Sequence, residues 1–118
     1  MIKMNCGNDI HEGITQKLIH SKEYNKHVDE ASKIFSLLGD FSRMKILLAL
    51  MEGELCVYHI CEITGGKQSA TSQHLRKLKD GFIVKSKKQG NQVLYSLADE
   101  HIKTIIRTAL EHVSCEHL

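Results

Sequence analysis

The sequence predicts a mainly helical fold closed by one β-hairpin, an α+β arrangement, on three observations. Apolar residues recur at three- and four-residue steps through 24–38 and 102–113. The period changes to two only between residues 82 and 97, and glycines stand where the first periodic runs stop.

With 118 residues, 42% of them hydrophobic, the chain supports one domain with a small core. The expected division is an N-terminal arm or frayed helix over 1–22 and a single folded domain over 23–118. The longest apolar stretch, 44–51, is interrupted by Lys45 and is far shorter than a membrane span. Residues 2–10 lack the apolar core of a signal peptide, so a cytoplasmic location is expected. Cys6, Cys56, Cys61 and Cys115 would then sit in a reducing compartment, which favours thiolate chemistry over structural disulfides. Eight histidines enlarge this pool of nitrogen and sulfur ligands for zinc-like ions.

The first helix is expected over 24–38, carrying Val28, Ala31, Ile34, Phe35, Leu37 and Leu38 and stopping at Gly39. Asp40 or Ser42 can cap a second helix, apolar nearly all round and therefore central, which Gly53 closes. A third short helix fits 56–63. Thr64-Gly65-Gly66 turns the chain into a fourth helix over 68–79, with Ala70, Leu75 and Leu78 as its anchors. Two helices joined by a glycine turn match the helix-turn-helix pattern. Gln68, Ser69, Thr71, Ser72, Gln73, His74 and Arg76 give the second of them a face of hydrogen-bonding residues. Ser, Thr and Gln are mediocre helix formers but suit base edges and phosphates.

Beyond Asp80-Gly81, Phe82, Val84 and Ser86 alternate with Ile83, Lys85 and Lys87; Gln89-Gly90-Asn91 turns the chain, and Val93, Tyr95 and Leu97 alternate back. The expected element is a hairpin with a basic tip, and a helix-turn-helix followed by such a hairpin is the winged helix-turn-helix arrangement. Residues 67–88 hold seven Lys or Arg against one Asp, a charge of +6 where the whole chain carries +2, so the remainder is −4. This asymmetry is the footprint of a face that neutralises the phosphates of double-stranded DNA, although a solvated helix followed by a charged hairpin gives a similar run. Asp99 opens a last helix whose stripe of Ile102, Ile105, Ile106, Ala109, Leu110 and Val113 has no later element to cover it. A twofold-related copy would cover part of it, giving a homodimer through terminal helices that offers two reading helices to two half-sites.

Three fragments in this order and spacing resemble the ArsR/SmtB family of metal-sensing repressors: Glu54-Leu55-Cys56-Val57, the run from Gln68 to Leu78, and Gln89-Gly90-Asn91 followed by Tyr95-Ser96-Leu97. The similarity covers roughly residues 28 to 115. It implies a dimeric repressor that binds operator DNA without metal and leaves it when an inducer binds. By that resemblance Gln68, Ser69, Ser72 and Gln73 contact bases, with His74 and Arg76 nearby and Lys87 and Lys88 on the wing.

The last helix offers the sharpest metal geometry. His101 and His112 share a face but lie ~16 Å apart along one helix, too far to hold one ion. Two antiparallel copies bring the Asp99/His101 end of one helix to the His112/Cys115 end of the other, making two four-ligand sites. This spacing resembles the family's C-terminal helix site, where Glu or His usually stands in place of Cys115. A thiolate there keeps Zn(II) and favours softer Cd(II). Asp99 would serve equally as a plain helix cap, and the histidines as solvated side chains.

The resemblance points also to a second metal or thiol site of Cys56 and His59, with Cys6 and His11 from the arm, and with Cys61 where an arsenic-sensing cysteine would stand. Tyr58 replaces the family's middle cysteine. Cys56 and Cys61 are roughly 140° apart on an ideal helix, so joint use needs a distorted first turn, and either can pack simply as core. The leading expectation is a repressor released by Zn(II) or Cd(II), with Pb(II) or As(III) as further inducers. The alternative is a thiol-based arsenite or redox sensor using Cys56 and Cys61. A metal-independent architectural DNA binder also fits the basic face. Catalysis is not expected: the chain shows no Gly-rich phosphate loop, no HExxH and no evident general base beside the ligands.

Overall fold

The computed structural model describes residues 21–115. The described chain divides between Phe35 and Ser36 into two compact units. Helix α1 (Lys22–Leu38) accounts for nearly all of the described part of the first and runs into the second. Its N-terminus is closed by the Ser21 hydroxyl, which accepts from the Tyr24 amide at 3.1 Å. Val28 and Phe35 stay 47% and 61% exposed.

In the second unit, Asp40 caps helix α2 (Phe41–Leu50) by accepting from the Arg43 amide at 3.0 Å. That backbone hydrogen bond is the main reason the Asp40 carboxyl titrates below its ordinary value. The Arg43 guanidinium donates back to the Leu37 carbonyl at 2.8 Å, so one arginine joins the end of α1 to the start of α2. As its all-round apolarity requires, α2 is central: Ile46, Leu47, Ala49 and Leu50 are buried.

Strand β1 (Leu55–Cys56) leads directly into helix α3 (Val57–Thr64). Gly65 ends α3 at φ +77°, a left-handed conformation that favours glycine. Helix α4 (Gln68–Asp80) follows, then β2 (Val84–Gln89), β3 (Gln92–Leu97) and helix α5 (Glu100–Ser114), capped by Asp99 through the Ile102 amide at 3.0 Å. The sheet is antiparallel in the order β1-β3-β2. Gln89 pairs with Gln92 around a two-residue turn whose first residue, Gly90, has φ +62°. Leu47, Ile60, Leu75, Leu78 and Ile83 show no exposed surface, drawing α2, α3, α4 and the hairpin onto one core. Each such side chain contributes about 1.5–3 kcal/mol of apolar burial.

The structure corrects the expected layout at three points. Cys56 belongs to β1 rather than α3, because Leu55 and Cys56 pair with Tyr95 and Leu94. The buried face of α4 is Thr71, Leu75 and Leu78, and Ala70 is exposed, because positions spaced by four and three keep one side of the helix on the core. Phe82 is not in the hairpin core: it has φ +61° and is 82% exposed. It occupies the left-handed position of a helix-ending motif in which the Phe82 amide donates to Lys79 and the Ile83 amide to Leu78, so Ile83 takes the buried place. Along α5, Ile102 and Ile106 are buried in the chain's own core, while Leu110 and Val113 are 39% and 74% exposed.

Candidate nucleic-acid interface and metal centres

With Thr71, Leu75 and Leu78 facing inward, the helical repeat turns Gln68, Ser69, Ser72, Gln73 and Arg76 outward, and all five are exposed. His74 lies at the margin of this face and is half-buried. Lys77 and Lys79 add positive charge in the last turn of α4. The wing extends the basic surface: Lys85, Lys87 and Lys88 are exposed along β2. Lys87 also pairs with the Glu54 carboxylate at 3.2 Å, linking β2 to the segment before β1 across the intervening β3.

The Cys56 side chain is buried, and its Sγ lies 3.3 Å from Nδ1 of His59. Cys56 ends β1 in extended backbone, and His59 sits in the first turn of α3, so the strand-to-helix corner sets sulfur beside imidazole. Cys61 is half-buried farther along α3. Cys56 lies in extended backbone rather than in a helical turn shared with Cys61, and the side chain its sulfur meets is His59. Cys6 and His11 lie outside the described residues.

On α5, Asp99 Oδ1 caps the helix while Oδ2 lies 3.8 Å from Nδ1 of His101, whose side chain is 93% exposed. His112 occupies the last turn of α5 and Cys115 is its C-cap, exposed. The two ligand pairs thus occupy opposite ends of a 15-residue helix, and one copy does not bring them together. Among the described residues, no three His, Cys, Asp or Glu side chains converge as a metal site. The candidates are thus three pairs, Cys56/His59, Asp99/His101 and His112/Cys115, and each needs further donors to close a tetrahedral shell.

Helix-turn-helix, basic reading helix and basic wing define a DNA-binding regulatory protein. Residues 40–86 match the model of the bacterial regulatory proteins of the arsR family. A cadmium resistance transcriptional regulatory protein CadC homolog of Staphylococcus aureus is 42% identical over 84 residues, spanning 70% of this chain and 69% of that protein. A transcriptional repressor SmtB homolog of Synechocystis is 32% identical over 92% of this chain and 89% of its own. Among solved structures, the homodimeric winged helix-turn-helix DNA-binding domain of a Mycobacterium bovis protein superimposes with a TM-score of 0.75 at 26% identity, covering 84% of this chain and 95% of that one. The chain belongs to the arsR family of transcriptional regulators. These relatives are named as regulators and repressors, not enzymes. No helix among the described residues is long and apolar enough to cross a membrane.

Proposed function

We propose that this chain is a homodimeric, metal-responsive repressor that holds operator DNA in its metal-free state and lets go when Zn(II) or Cd(II) binds. One observation carries the reading: α5 bears Asp99/His101 at one end and His112/Cys115 at the other, with exposed Leu110 and Val113 beside the second pair. An antiparallel second copy would cover those apolar side chains and complete two N/O/S sites at once. The names of the relatives, one a cadmium resistance regulator and one an SmtB homolog, support a metal inducer. Gln68, Ser69, Ser72 and Gln73 would read bases, with His74 and Arg76 beside them and Lys87 and Lys88 on the backbone.

Metal binding would fix the relative angle of the two copies in a geometry whose reading helices no longer fit both half-sites. The effect is a coupling free energy of about 1–3 kcal/mol, a 5- to 150-fold loss of operator affinity. A fluorescence titration of the protein on its promoter duplex against Zn(II), Cd(II), Pb(II), Ni(II), Cu(I) and arsenite tests it, repeated with His112→Ala and Cys56→Ser. Loss of the Zn(II) response in His112→Ala is expected; a response unchanged in both variants would refute both candidate sites.

The Cys56–His59 contact favours a second reading, in which Cys56, His59 and Cys61, joined by Cys6 and His11, take a thiophilic inducer such as Cd(II), Pb(II) or As(III). An arsenical resistance operon repressor of Staphylococcus xylosus is 33% identical over 95 residues, in keeping with this chemistry. Selective loss of the arsenite response in Cys56→Ser would establish it.

A further inference from the structure

Beyond the reading face, α4 opens onto a cleft of about 240 Å³ between the start of α2 and the glycine turn. Ser42, Lys45, Thr64, Gly66, Thr71 and His74 line it, and no carboxylate does. Its chemistry is that of donors and a cation. The Lys45 ammonium is steadied 5.6 Å over the Phe41 ring at its rim.

Two independent features make this cleft suited to an anion. The N-cap of α4 is Lys67, which supplies no side-chain hydrogen bond, so in the first turn the amide of Ala70, the one of these residues that lines the cleft, has no acceptor among the described residues. Such a helix start attracts negative charge. Separately, Thr71 is buried to all but 3% of its surface, yet its hydroxyl forms no hydrogen bond among the described residues. Among the described residues no side-chain oxygen is both sealed and unpartnered, so that hydroxyl keeps its contact with the cleft. Gly66 leaves the space open: a Cβ there would stand 2.9 Å from Thr71 Oγ1 and 3.3 Å from Thr64 Oγ1.

We infer that this cleft is a phosphate site, which seats one phosphodiester of the operator backbone beside the bases read by α4. The inference rests on the DNA-binding reading and adds Lys45, Ser42 and Thr71 to it. Asp40, the acidic group whose carboxyl responds to His74, does not line the cleft, and its Oδ2 is engaged by the Arg43 amide. A backbone phosphate here carries no sequence information; it fixes the register of the reading helix on the duplex.

The test measures affinity of the full-length chain for its operator and for a scrambled duplex across a salt series. Lys45→Gln should reduce the steepness of log K against log salt by about 0.9, the loss of one phosphate contact, and weaken both duplexes equally. Thr71→Val should weaken both about five-fold, the cost of one hydrogen bond to an anion, with the slope unchanged. A methylphosphonate scan of the operator should then find one position where wild type loses affinity and Lys45→Gln loses nothing further. An unchanged slope in Lys45→Gln, or no such position, overturns the proposal. Inorganic phosphate distinguishes a free anion from the backbone. Millimolar phosphate that perturbs the amides of residues 68–71, with DNA binding unaffected by Lys45→Gln, would assign the cleft to a free ion and overturn the DNA role. A wild-type protein whose duplex affinity ignored salt would overturn the DNA reading itself.

Discussion

The Sγ of Cys56 lies 3.3 Å from Nδ1 of His59, joining the last residue of β1 to the first turn of α3. Because Cys56 is buried and paired through its backbone with Leu94, the sulfur is held by the sheet rather than by a loop. A thiolate so placed needs little ordering to bind a soft ion. Cys56→Ser should lower cadmium affinity at least ten-fold and remove its share of the thiolate-to-cadmium absorption band, leaving the fold intact. An unaltered band would show that Cys56 is core packing only.

Glu54 and Lys87 form an exposed ion pair, and such pairs contribute little to stability, about 0–1 kcal/mol. If Lys87 meets the DNA backbone as proposed, the Glu54 carboxylate at 3.2 Å would compete with phosphate for the wing ammonium. Glu54→Gln should therefore tighten operator binding up to about five-fold. Its salt dependence should steepen, while the denaturation midpoint barely moves.

Phe82 and Ile83 make a matched pair of substitutions. Ile83→Ala empties a fully buried position and should cost about 2–5 kcal/mol in denaturant unfolding. Phe82→Gly removes an exposed side chain and relieves a left-handed residue, so stability should change by no more than about 1 kcal/mol.

Asp40 gives the fold an acid-sensitive cap. Its carboxyl is lowered first by the Arg43 backbone hydrogen bond, so the folded state favours the ionised form. The contribution is present above the carboxyl's ordinary value and is lost as pH falls through the lower folded one. Asp40→Asn keeps an acceptor at the cap but does not titrate. Thermal melts from about pH 6 to pH 3 should fall less steeply for Asp40→Asn than for wild type.

How much of this was legible in the sequence follows from the range of the forces involved. Local signals read well: the Asp40 cap, the Gly65 stop and the two-residue period of the wing all act within a few residues. β1 did not, because a two-residue strand has no period and exists through its pairing with Tyr95 and Leu94, about forty residues away. The residue type of Thr71 suits the polar reading face, whereas its inward side is set by packing beside Leu75 and Leu78. Phe82 misled in the opposite sense, an aromatic placed by helix-end geometry where a glycine is commoner. The placing of Asp99/His101 and His112/Cys115 at opposite ends of α5 follows from spacing, whereas the convergence proposed for them would need a second copy.

The most direct measurement of that convergence mixes two damaged chains. His101→Ala and His112→Ala homodimers should each lose both α5 sites, since in the proposed dimer every site would take one histidine from each copy. In a mixed dimer one site loses both histidines and the other keeps both. Mixing should therefore restore one zinc ion per mixed dimer, in about half of the dimers formed, together with zinc-driven release of operator DNA. A mixture as inert as its components, or a single variant that still answers to zinc, would contradict the account.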